Sequence, residues 1–429
     1  MTPESAVNFL VLVLIVASLV ALVSRYLRVP YTVSLVVGGL VLGAIHGHAF
    51  ASAPVQTPQW LSREIVLVIF LPALLFEGSA RIPFKELREN LAAVLLLATV
   101  GVLATVLIVG SVVHAALGIS LVVAMLFGAI IAPTDPVSVL AIFRSLRISR
   151  RLSTLVELES LLNDGTGYAL YSILLVAVAT GRLSIGRGAW EFLLEVAGSA
   201  LLGAALGFAM SWLTSLIDDP EIEISLSVIL AYGSFLLADR LHLSGVLATV
   251  AAGLVVGNVG LQRAMSAQTR ISLLAFWEYL AFVINSLLFF LIGLSVNVQT
   301  LAQNWRSVLI AAGAVLLGRA VAVYGLSPVS GLLSKKIPLS WQHVLTWGGL
   351  HGSLSLAMAL GLPASLRERG TILTLSFGVV ALSILGQGLT IKPLLVALRL
   401  SEPAPGRAGE TTEEHCSHPE QARRPERKS

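Results

Sequence analysis

The chain has 429 residues, 56% of them hydrophobic and only 12% charged, with a formal net charge of +4. Soluble domains hold about 45–50% apolar and 25% charged residues, so the composition excludes an ordinary soluble globule. The small, dispersed positive charge, with no basic stripe interleaved with aromatics, excludes a nucleic-acid binder. An all-α polytopic membrane protein, with the lipid bilayer as its solvent, is the class that remains.

A span needs about 20 apolar residues, and about 13 candidates follow in chain order: 6–24, 31–46, 64–80, 90–113, 118–143, 155–180, 189–217, 222–238, 243–257, 272–295, 307–333, 341–362 and 370–397. The first apolar run has no Lys or Arg before it and Arg25 and Arg28 after it, the reverse of a secretory signal's charge order. It reads as a retained span with the N-terminus outside. Alternate loops then carry the basic clusters Arg81, Lys85 and Arg88, then Arg144, Arg147, Arg150 and Arg151, and later Lys335 and Lys336. Under the positive-inside rule those loops and the C-terminus are cytoplasmic, and the expected location is the plasma (inner) membrane. The loop DDPEIE (218–223), which lacks a basic residue, runs against that orientation.

Residues 1–400 read as one transmembrane domain. Beyond them the polar stretch 401–429 has almost nothing to bury and reads as a disordered cytoplasmic tail. Cys416, the single cysteine, lies there and leaves no intramolecular disulfide. With His415 and His418 it fits none of the usual zinc spacings.

Two spans look broken. APTDP (132–136) places two prolines in the fifth, and WGGLHGS (347–353) places three glycines in the twelfth, both hostile to a continuous helix. Their separation suits two inverted six-helix repeats joined by a seventh helix, and paired interrupted segments mark a transporter's binding site.

Polar residues converge on the same depth. At 1.5 Å per residue, Asp135 lies roughly 12 Å and Asp164 roughly 13 Å from the cytoplasmic end of its span, His351 roughly 15 Å, and Arg319 roughly 18 Å from the outer end. A charge at the bilayer centre costs at least about 2.5–3.5 kcal/mol, so such positions imply partners or a use. Within ELESLLNDGTGYALYSILLVA (157–177), Ser160 shares a face with Asp164 and Asn163 shares one with Glu159, while Glu159 and Asp164 diverge by about 140°. The two carboxylates therefore have different duties: Asp164 faces a cavity, and Glu159 turns to a neighbouring helix where Arg319 can neutralise it. Asp135 competes for the same arginine. Glu157 falls two turns below Asp164 near the cytoplasmic mouth, and Glu278 finds no role on sequence grounds.

LPALLFEGS (71–79), APTDPVSVLAIF (132–143), ESLLNDGTGYALY (159–171), LFFLIGLSV (288–296), WGGLHGSLSLAMAL (347–360) and QGLTIKPLL (387–395) resemble, in order, the signature stretches of the monovalent cation/proton antiporters of the sodium/proton exchanger branch. The resemblance implies two inverted six-helix units with crossed unwound helices at the ion site, a homodimer, and a transporter rather than an enzyme. It implies no cofactor, only the transported ions H+ and Na+, with Li+ or K+ as alternatives. By resemblance Asp164 is the ion-binding aspartate, Thr134 and Asp135 are its neighbours in the unwound stretch, and Ser160, Asn163 and Glu77 are further groups around the ion. Glu159 and Arg319 match an intramembrane ion pair. The Asn-Asp type at Asn163 and Asp164 implies electroneutral 1:1 exchange, because asparagine cannot carry a second proton; the same amide can also hold the unwound chains in place. His351 departs from the family, whose members commonly carry arginine there. It is either a pH-responsive group or a neutral ring satisfied by freed carbonyls.

Other readings stay open on the residues alone. A cation channel or ion sensor could use the same buried carboxylates without coupling. An intramembrane hydrolase built on Ser353 or Ser355 with His351 lacks the Gly-x-Ser-x-Gly elbow. GSALLGAALG (198–207) offers Gly203 and Gly207 for close helix approach, either at a dimer seam or inside one chain.

Overall fold

The computed structural model describes residues 11, 14–20, 22–24, 26, 30–49, 65–181 and 184–400. Residues 6–10, 12, 13 and 21 of the expected first span, 6–24, and the whole polar tail 401–429 lie outside the described residues. Within them the chain is helical, with no strand, and eight helices are long and apolar enough to cross a membrane.

In chain order, α1 (Tyr31–Ala49) is followed by α2 (Leu71–Ala80), α3 (Phe84–Leu117) and the two halves of the first broken span, α4 (Leu121–Ile131) and α5 (Val137–Leu146). Next come α6 (Arg150–Thr180), α7 (Ile185–Thr214), α8 (Pro220–Arg240), α9 (Gly245–Val255) and α10 (Ala267–Ser295). After a short α11 (Val298–Gln303) the chain continues as α12 (Trp305–Leu333), and the second broken span supplies α13 (Leu339–Trp347) and α14 (Ser353–Leu360). The last are α15 (Arg369–Leu382) and α16 (Gly388–Ala397).

Local chemistry sets the ends. Ser120, Asp219, Ser244 and Ser266 cap α4, α8, α9 and α10 by accepting from first-turn N–H groups, which satisfies donors the helix cannot. That explains the acidic DDPEIE loop: Asp219 takes the N–H of Glu221 and Ile222, and Pro220 opens the helix where its missing N–H is harmless. Gly118 and Gly181 end α3 and α6 in the left-handed conformation, at φ of 69° and 66°, which favours glycine.

The helices form two groups. In one, α3 packs on α4 and α12, α4 on α6, and α12 on α15; in the other, α1 packs on α10, α2 on α9, and α7 and α8 on α9. We call them the core and the panel. Panel packing depends on small residues: a Cβ on Gly39 or Gly293 would run into the backbone of the facing helix, and one on Gly203 or Gly207 would meet Ala248 or Ala252 and Val255. Gly203 and Gly207 therefore serve the contact between α7 and α9 within one chain. The far face of α7 is left apolar and open, with Leu201 73% and Trp212 66% exposed, a surface fit for hydrocarbon.

Both broken spans belong to the core, and their breaks touch. The amide of Asp135 donates to the carbonyl of Leu350 at 2.6 Å, so the chain that leaves α4 crosses the chain that leaves α13. Backbone outside a helix at this depth survives because each stretch supplies part of the other's hydrogen bonding. Among the described residues four π-helical turns, at Ile65–Phe70, Leu97–Gly101, Val256–Ala264 and Ser383–Gln387, have no counterpart in the sequence pattern. The last one serves the crossing: the Ser383 hydroxyl accepts from the His351 amide at 3.2 Å, and Gln387 Nε2 donates to the Trp347 carbonyl at 3.1 Å.

Candidate ion-binding site

α6 passes the crossing with Glu159, Ser160, Asn163 and Asp164 spread over slightly more than one turn. Asn163, fully buried, reads the break directly: its Oδ1 accepts from the Thr134 amide at 3.2 Å, and its Nδ2 donates to Thr134 Oγ1 at 2.8 Å and to Glu159 Oε1 at 3.1 Å. The Ser160 hydroxyl donates to the Thr134 carbonyl. One residue of the break is thus held at three polar atoms by two side chains of α6. A third contact anchors α6 to α3, where the Thr166 hydroxyl donates to the Ala98 carbonyl in a π-helical turn.

Glu159 faces away from that assembly towards α12. Both of its oxygens accept from Arg319, Nη1 at 2.6 Å and Nη2 at 2.8 Å, and Arg319 Nε donates to the Leu345 carbonyl at the end of α13. The pair is buried, with side-chain exposure of 2% for Glu159 and 13% for Arg319. Two parallel bonds to a planar guanidinium are the strong form of this contact, and the third ties it to the second break. Asp135 does not share the arginine. Its Oδ1 accepts from the Val137 amide at 2.9 Å, the first N–H of α5.

Asp164 has neither a hydrogen bond nor an ion-pair partner among the described residues. It lines a cavity of about 270 Å³ between core and panel, together with Asp135, Ser160 and Glu157 on the core side and Glu77 on the panel side. Gly352 closes the floor: a Cβ there would collide with the side chain of Asp135. A separate apolar crevice of about 20 Å³, lined by Leu288, Ile292, Leu356 and Phe377, shares only Ser353 with this cavity.

His351 sits 5% exposed inside the crossing, with Nδ1 3.1 Å from the Pro133 carbonyl. A carbonyl only accepts, so Nδ1 carries the hydrogen in this contact. Pro133 lies within the break, and its carbonyl is one of those the interrupted helix leaves free.

Sequence reasoning missed several residues that border the cavity. Arg81 lies 2.6 Å from Glu77 Oε1 through Nε and reaches Glu278 Oε2 at 3.1 Å through Nη2, which gives Glu278 its partner. The i,i+4 spacing of Glu77 and Arg81 was a readable signal; Glu278, 197 residues further on, had none. Tyr31, Phe282 and Asn285 also border the cavity from the panel, and the rings of Tyr31 and Phe282 stack at 5.9 Å.

Comparison with known proteins identifies the family. Residues 11–397 match the family described as sodium/hydrogen exchanger, transmembrane. The chain belongs to this family of monovalent cation/proton antiporters. Among curated relatives, the Na(+)/H(+) antiporter ApNhaP of Aphanothece halophytica is 40% identical over 388 residues, covering 90% of this chain and 73% of the relative. The Na(+)/H(+) antiporter NhaG of Bacillus atrophaeus is 38% identical, covering 92% and 75%. Among solved structures, the sodium proton antiporter MjNhaP1 of Methanocaldococcus jannaschii superposes with a TM-score of 0.74 at 23% identity, covering 94% of this chain and all of that one. At that identity the likeness speaks for the exchanger fold alone.

Proposed function

We propose that this exchanger is a secondary active antiporter that trades Na+, with Li+ or K+ as alternatives, for H+ by alternating access, the two ions competing for Asp164. The observation that carries the reading is the contrast on α6: Glu159 is neutralised by Arg319, whereas Asp164 faces the cavity without a partner among the described residues. The names of the curated relatives, Na(+)/H(+) antiporters, support the choice of ions.

Sodium is a hard cation that exchanges its water shell for oxygen ligands. Asp164, Asp135, Ser160, Thr134 and Glu77 supply them, and Asn163 fixes Thr134 in place. A bare carboxylate is expensive to carry across hydrocarbon. Neutralised by a proton or by sodium, it moves with the core as the core slides against the panel; empty, it stays where it is. Exchange follows because only loaded forms cross. Asn163 cannot titrate, so each turnover moves one cation against one proton and the cycle is electroneutral.

The cavity and the apolar crevice at Ser353 are separate spaces, which suits a gated carrier better than an open cation channel. By the distribution of basic loops the open end is the cytoplasmic one. The chain acts as a homodimer in the plasma membrane, without a cofactor. His351 completes the crossing as a hydrogen-bond partner of the Pro133 carbonyl.

Direct competition is measurable on detergent-purified protein. Sodium added to weakly buffered wild-type protein should release about one proton per site, read with a pH dye, and Asp164→Asn should release none. Sodium binding without proton release would remove competition from the mechanism, and release undiminished in Asp164→Asn would move it to another acid.

A further inference from the structure

The cavity that would admit a cation carries a fixed cation on its wall. Arg81, at the end of α2, sits between Glu77 one turn back and Glu278 on α10, at 2.6 and 3.1 Å. Side-chain exposure rises from 20% at Glu77 and 28% at Arg81 to 63% at Glu278. The trio therefore runs from the inner cavity to its rim, entirely on panel helices. The remaining charged groups that border the cavity are Asp135, Glu157, Asp164 and Arg144 on the core.

Left unpaired, Glu77 and Glu278 would add two negative charges to a cleft that already holds three carboxylates. Clefts lined by one sign of charge concentrate counter-ions strongly, which aids capture but opposes release. Throughput needs a site favourable enough to fill and weak enough to empty. The forked guanidinium suits that compromise, because one residue occupies two carboxylates at once.

On the antiport reading above, we infer that Arg81 is the affinity-setting residue of this cavity: a tethered guanidinium that offsets the charge of Glu77 and Glu278, weakens the hold of these carboxylates on the transported cation, and so sets both sodium affinity and the rate of release. The role lies with Arg81 and Glu278 rather than with the residues around Asp164, and it acts through charge.

The test is a charge cycle in proteoliposomes at fixed pH, reading KM for sodium apart from maximal rate. Arg81→Gln should lower KM by about threefold to tenfold and lower the maximal rate with it, as the cleft gains negative charge. Glu278→Gln should raise KM by a similar factor, about threefold or more, because Arg81 is then balanced by one carboxylate fewer. The pair Arg81→Gln with Glu278→Gln should return KM towards wild type, and Arg81→Lys, which keeps the charge, should hold it there. A merely structural role for Arg81 would reduce the maximal rate and leave KM in place, and that result overturns the inference. Should Arg81→Gln fail to reach the membrane, Glu278→Gln decides alone, and an unmoved KM counts against it. Wild type and Asp164→Asn in the same vesicles separate the two layers: no exchange by wild type sinks the antiport reading itself, whereas normal wild-type exchange with unmoved KM in the rim variants sinks only this one.

Discussion

Glu159 and Asp164 stand five residues apart on one helix and have opposite surroundings. The Glu159 side of α6 is closed, with both oxygens of its carboxylate bonded to Arg319 and the arginine bonded onward to the Leu345 carbonyl. On the Asp164 side a carboxylate without a partner among the described residues borders a cavity of about 270 Å³. Identical chemistry at neighbouring positions thus gives a fixed anchor in one case and an available ligand in the other. Since the anchor also engages Asn163, and Asn163 holds Thr134, the rigid side positions the open one.

Substitutions that interchange the two surroundings probe this contrast. The largest effect belongs to Arg319→Ala, which strands Glu159 as a buried, unpaired charge and should destabilise the protein by about 3–5 kcal/mol. A thermal-shift assay in detergent would read this as a large drop in midpoint, and a midpoint unchanged within a degree or so would mean that the pair anchors nothing. Asp164→Asn should do the reverse, abolishing exchange while leaving the midpoint within a small margin, since the carboxylate has no partner to lose. Gly352→Ala is intermediate. A Cβ there meets Asp135, and such overpacking costs about 1–3 kcal/mol, with Asp135 displaced from the Val137 amide and sodium affinity weakened. Retained affinity would show that Asp135 lies outside the ion's reach. Ser160→Ala is the smallest, removing one hydrogen bond to the Thr134 carbonyl at about 1 kcal/mol and raising KM modestly at an unchanged maximal rate.

Much of the architecture was legible because hydrocarbon leaves the chain few options. Apolar runs had to be helices, and two prolines in one run and three glycines in another had to break theirs. Helix ends were less legible: the run expected over 90–113 begins at Phe84, because FKELREN is helical without being apolar, and the span expected from 155 starts at Arg150. The π-helical turns left no mark, since no residue type demands one; at Ser383–Gln387 the turn answers polar groups of a break 32 to 40 residues earlier in the chain. The same distinction runs through the cavity. The divergence of Glu159 and Asp164 follows from helical geometry alone, as does the reach of Glu77 to Arg81. The contact of Arg81 with Glu278 depends on how α2 and α10 pack, and helix packing is not written in either helix.

Sodium-driven proton movement in proteoliposomes, wild type beside Asp164→Asn, with the membrane voltage held at zero and then stepped, bears most directly on what the open carboxylate is for. Coupled exchange that is absent in the variant and indifferent to voltage is the expected result, because one cation for one proton moves no net charge, whereas each unit of uncompensated charge would be worth about 2.3 kcal/mol per 100 mV. Exchange that survives the loss of Asp164, or sodium flux without proton counterflow, would contradict it and pass the transport role to another acid or to a channel.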